Sequence, residues 1–187
     1  MRTFRLLDER RSVSYSIILG VWGLILIYAI LHDQYIVRIA PEHFTVYHKP
    51  LWNIQNPEFL AVAYAFRASI GPGLILGMAC AFAARIGSWP KVTPKFVLGG
   101  SVIVIVCTEV ISVMTGLWVH SSEQTLYPSA WYPDDSLPLL ITATIQFSSY
   151  LIGTLFSLLL LLGIVRKRTI RQNETAETAV MITEIDS

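Results

Sequence analysis

Four stretches of this chain, near residues 13–32, 59–84, 96–119 and 137–165, stay apolar over ~20 residues or more, the length a helix needs to cross ~30 Å of hydrocarbon. Runs such as SIILGVWGLILIYAIL and SLLLLLGIV are apolar on every face and lack the ten-residue alternation of membrane strands. Helices satisfy their own backbone hydrogen bonds, which lipid cannot do. The expected fold is an all-α integral membrane protein: an antiparallel four-transmembrane-helix bundle with an ordered extracytoplasmic loop between helices 1 and 2. Only 14% of the residues are charged, against about 25% in an average soluble domain, which fits a chain that spends most of its length in lipid.

Basic residues set the expected orientation. Four lie before the first span (Arg2, Arg5, Arg10, Arg11), three between spans two and three (Arg85, Lys91, Lys95) and four after the last (Arg166, Lys167, Arg168, Arg171), whereas the other two loops hold only Arg38 and Lys49. Counted by the positive-inside rule, this places both termini in the cytoplasm of a plasma or inner membrane, N-in and C-in. The first span reads as an uncleaved anchor, because its apolar run exceeds that of a signal peptide and no small-x-small site precedes HDQYIV. Residues 1–170 form one membrane domain on this reading, and 171–187, without sustained period, form a disordered cytoplasmic tail. Net charge is +1, so there is no global basic field to attract nucleic acid. Cys80 and Cys107 fall at different depths within spans and form no CxxC, which argues against a disulfide or a redox relay.

The loop DQYIVRIAPEHFTVYHKPLWNIQNPE is rich in β-branched and aromatic residues. Its YIVRI and HFTVYH segments alternate at period two around Ala40-Pro41, as a short hairpin or a surface-lying extended segment would. The second outer loop places Tyr127, Trp131 and Tyr132 among prolines, the composition of an aromatic belt on an ordered cap.

Within the spans, polar residues are few enough to examine singly. Arg67 lies eight residues inward from Phe59, or ~12 Å; Glu109 lies eleven from His120, or ~16 Å; Gln146 lies nine from Leu137, or ~14 Å. They are expected at one level in the outer half of the bilayer. On helix four, Thr142, Gln146, Ser149, Gly153 and Ser157 share a stripe, and on helix three Glu109, Ser112, Gly116 and His120 share another. Small and hydroxyl residues in register suit interhelical contact in lipid. A charge in lipid costs ~2.5–3.5 kcal/mol or more, so Arg67 is expected to pair with Glu109 as an intramembrane ion pair, with Gln146, Ser112, Thr142 and Ser149 around it. Such a cluster either fixes helix register or binds a ligand. Gly71-Pro72-Gly73, one turn deeper, is expected to break helix two and free backbone carbonyls.

All four histidines, His32, His43, His48 and His120, fall on the outer side with several carboxylates, so a divalent metal could be assembled there. The spacing carries no HExxH or similar paired motif, and no other cofactor is implied. GxSxG, Gly-rich phosphate loops and Cys/His nucleophile pairs are absent from the sequence. The leading reading is a small non-enzymatic integral membrane protein, an accessory or assembly subunit that presents its outer loops to a protein partner or works as a homo-oligomer in the lipid bilayer. The alternative is a small transporter or channel-like protein with a polar site at Arg67, Glu109 and Gln146. A third, weaker alternative is an outward-facing metal-binding enzyme or sensor.

Overall fold

Continuous apolar sequence, with proline at helix boundaries, builds four long helices. The computed structural model describes residues 11–49 and 51–185, and among these it is all-helical, with no strand. α1 covers Arg11–Ile39, α2 is a single turn at Glu42–Thr45, α3 covers Pro57–Arg85, α4 covers Pro94–Ser122 and α5 covers Leu137–Ile185. α1, α3, α4 and α5 are each long and apolar enough to cross a membrane. Pro57 and Pro94 open their helices, where a missing N–H costs nothing, and the Asn56 side chain accepts from the Phe59 amide to cap α3.

The helix order around the bundle is α1, α3, α5, α4, so α3 and α4 stand at opposite corners and α1 touches both. Small residues set the register. Gly77 faces the Ile18 backbone and Gly73 faces Trp22, so α1 and α3 run antiparallel with residue numbers summing to about 95. A Cβ on Gly77 would come within 2.7 Å of the Ile18 carbonyl oxygen, so close approach here requires glycine. Gly116 faces Ile145, Gly153 faces Thr108 and Gly100 faces Leu160, which makes α4 and α5 antiparallel as well. Gly20 against Leu98 and His32 against Glu109 make α1 and α4 parallel, offset by about 77 residues. Apolar cores lie at both ends: Ile17, Val21, Val97 and Ile164 toward the termini, and Ile36, Phe44, Ala61 and Ile145 toward the two long loops.

Several expectations need correction. YIVRI is not extended: it forms the last turns of α1, which stops at Ala40 because the residue before Pro41 is driven out of the helical region. HFT belongs to the α2 turn, so neither half of the expected hairpin forms. Gly71-Pro72-Gly73 does not break α3, which remains helical from Pro57 to Arg85 with Pro72 inside it. The expected disordered tail is the continuation of α5, helical to Ile185, with Thr175 and Thr178 hydroxyls donating to the carbonyls of Arg171 and Glu174. Arg2, Arg5 and Arg10 of the expected basic flank lie outside the described residues.

Candidate functional site: a buried polar cluster and an unpaired arginine

Tyr28, His32 and Tyr35 recur at helical spacing on α1, and this stripe meets α4 at Glu109. The His32 Nδ1 lies 2.9 Å from the Glu109 Oε2, with His32 only 4% exposed. A carboxylate only accepts, so Nδ1 carries the proton and donates it. The Tyr35 and Tyr28 hydroxyls lie 3.0 and 3.4 Å from the same nitrogen, and both phenols also interact with the Glu109 carboxylate. Ser149 on α5 reaches Tyr28. Asp33 is buried beside this group. The His32 Nε2 and, on α4, the Thr108 Oγ1 are buried without a hydrogen-bond partner among the described residues, an arrangement that leaves about 1–3 kcal/mol of desolvation cost uncompensated for each group.

The expected Arg67–Glu109 pair does not form within the chain. Arg67 is exposed on α3 and makes no hydrogen bond or ion pair among the described residues. The reason is topological: α3 and α4 occupy opposite corners, and α1, adjacent to both, supplies His32 to the carboxylate. Depth also separates the three residues expected together. By the registers above, Arg67 is level with Tyr28 of α1, Glu109 with His32, and Gln146 with Arg38, a spread of ten residues or ~15 Å. The Gln146 Nε2 donates to the Tyr150 hydroxyl at 2.5 Å, and its Oε1 is a buried orphan.

The hydroxyl stripes behave differently from expectation too. Ser112 donates to the Thr108 carbonyl and Ser149 to the Gln146 carbonyl, each on its own helix, and of the two only Ser149 also reaches across, to Tyr28 of α1. The hydroxyl bond across α4 and α5 is instead Thr115 to Ser148 at 2.8 Å, extended by the Tyr127 hydroxyl. Together with Tyr132 bonded to Thr144, and Tyr127 stacked on Trp131, this forms the aromatic cap over α5.

Of the remaining histidines, His43 and His48 pack with ring centroids 5.2 Å apart beside Phe44 and Tyr64, and Thr142 lies 3.4 Å from the His43 Nδ1. Burial first, then the neighbouring His48 and His32, push the His43 pKa down to about 4. His120 is exposed at the end of α4. Among the described residues no three His, Cys, Asp or Glu side chains gather as a metal site, so the four histidines do not converge. Tyr47 donates to Asp134 at 3.0 Å and ties the two loops; the Ser136 amide and this phenol hold the Asp134 carboxyl below the usual carboxylate range.

At the other end, a residue that the sequence presents as one more basic flank is buried. Arg168, 4% exposed, donates from Nε to Pro90 O at 3.0 Å, from Nη1 to Ala83 O at 2.8 Å and from Nη2 to Ile86 O and Trp89 O at 2.7 and 3.2 Å. Four of its five N–H groups thus satisfy carbonyls at the C-terminus of α3 and in the turn to α4, where the helix dipole favours a cation. Comparison with known proteins adds no family: no family model, curated protein or solved structure matches the chain.

Proposed function

We propose that this small multi-pass membrane protein is a non-enzymatic subunit of a larger membrane assembly, entered through the α3 face that carries Arg67. The observation that supports the reading is an arginine exposed within a spanning helix with no partner among the described residues. Left against acyl chains it costs ~2.5–3.5 kcal/mol or more, a cost that a neighbouring polypeptide offsets by supplying acceptors. The same face offers Ala68 and Gly71, both exposed, and the space above Gly71 is open, so another helix can approach closely. The eleven-to-two asymmetry of basic residues orients the termini inward and the two tyrosine-rich loops outward.

The test is particle size after extraction with surrounding lipid, without detergent. More than one polypeptide per particle is expected, and Arg67→Leu should reduce it to a single chain that still inserts. A wild-type particle holding one chain and nothing else overturns the reading. A second reading, a small transporter or channel-like protein, draws on the buried, unpartnered His32 Nε2 beside Glu109. Ion flux in proteoliposomes that is lost in Glu109→Gln, with insertion intact, would support it; no flux in the wild type removes it.

A further inference from the structure

We infer that the missing partner of Arg67 is Glu109 of a second copy of this chain, so that an ion pair the chain cannot close within itself closes between copies. The inference rests on the subunit reading and specifies its partner. Charge complementarity comes first. Glu58 is exposed but pairs at 3.6 Å with Arg38 near the helix ends, nine residues or ~13 Å from the level of Arg67, Asp33 is buried, and Glu174 and Glu177 lie on the far C-terminal turns of α5, which leaves Glu109, with 29% of its side chain exposed, as the carboxylate near the level of Arg67 that a neighbour can reach. His32, Tyr35 and Tyr28 engage the carboxylate, which has about four lone-pair sites, so one remains able to accept a guanidinium N–H.

Depth agrees. Arg67 is level with Tyr28 and Glu109 with His32, a difference of four residues or ~6 Å, with Arg67 the deeper. Side chains lean toward the N-terminus of their helix, which for α3 is the end nearer Glu109, and an extended arginine covers that distance. Copies inserted with the same orientation therefore bring guanidinium and carboxylate to one level. The rims also fit: Ala68 and Gly71 beside Arg67 are small, and Val106 and Val110 beside Glu109 are exposed apolar residues. Because α3 and α4 stand at opposite corners, the contact is head-to-tail and generates a ring or an open row rather than a two-fold dimer.

Charge reversal between differently tagged full-length copies tests this. Arg67→Glu alone sets two glutamates against each other, and Glu109→Arg alone sets two arginines, so each variant expressed by itself should lose self-association. Co-expressed, the two variants should copurify, because each contact then joins opposite charges. A second measurement guards against a variant that fails to insert: Ala68→Cys on one tagged copy and Val106→Cys on the other, two residues or ~3 Å apart in depth by the same registers and both carrying Cys107→Ala, should form an intermolecular disulfide on oxidation. Absence of that disulfide, or self-association unchanged by either single reversal, overturns the inference. Retention of a different protein by chains that do not self-associate overturns the inference and leaves the subunit reading standing. A solitary chain overturns both.

Discussion

Two arginines at opposite ends of this bundle meet opposite fates. Arg168 is enclosed by Pro90, Ala83, Ile86 and Trp89 carbonyls, whereas Arg67 projects from α3 and bonds to nothing among the described residues. The same side chain thus fastens one end of the fold and leaves the other end incomplete. What differs is the backbone nearby. α3 ends at Arg85 and turns through residues 86–93, which frees several carbonyls together, while Arg67 stands inside α3, where the helix engages its own carbonyls apart from that of Ala68, whose donor is lost at Pro72. A buried cation is stable where the chain supplies acceptors.

The largest expected effect tests the first half of that contrast. Arg168→Ala strands four carbonyls and should destabilise the protein by about 3 kcal/mol or more, since hydrogen bonds to charged groups each contribute roughly 1.5–3 kcal/mol and are not additive. Arg168→Lys should recover little, because an ammonium cannot reproduce the guanidinium fork. Thermal unfolding in micelles reads both; a lysine variant as stable as the wild type would break the contrast. Next comes acid. His43 titrates near 6.5 when unfolded and near 4 when folded, so between these values the unfolded chain binds more protons and stability rises with pH. Acidification across that window should remove roughly 3 kcal/mol at most from the loop end, and the loss should be absent in His43→Gln. The terminal end, held by an arginine that stays charged throughout, should respond little when followed by amide exchange in residues 86–93. The smallest effect should be Arg67→Leu on the unfolding of the isolated chain, within about 0.5 kcal/mol, as at a surface site away from buried contacts. A large loss there would mean that Arg67 has a partner in its own chain.

Local sequence made the four long helices legible, because length and uniform apolarity suffice to specify them. It failed where local pattern has two solutions. Residues 35–39 alternate as a strand would, yet Ile36 and Val37 also continue the buried face of α1, and burial against Leu60 and Ala61 decides for the helix. Ending the first span at His32 hid the Tyr28, His32, Tyr35 spacing that marks the partner of Glu109. The α5 tail, with alanine and glutamate among its residues, suits a helix once a long helix already nucleates it. The choice between Arg67 and His32 was not legible at all. It depends on which helices stand at adjacent corners, and on that question depth and charge are silent. Arg168 was unreadable for a similar reason: its acceptors are about eighty residues away in sequence.

α5 has a mechanical consequence. Its 49 residues make a rod of ~74 Å, more than twice the ~30 Å of hydrocarbon it has to cross. The guanidinium of Arg168 clasps this rod near the point where α3 and α4 turn, as a collar holds a shaft. Arg171 adds a bond to the Lys91 carbonyl one turn on, and the fourteen residues beyond it, or ~21 Å, extend past the collar, so that a tilt of a few degrees of the rod becomes a displacement of ångströms at its tip.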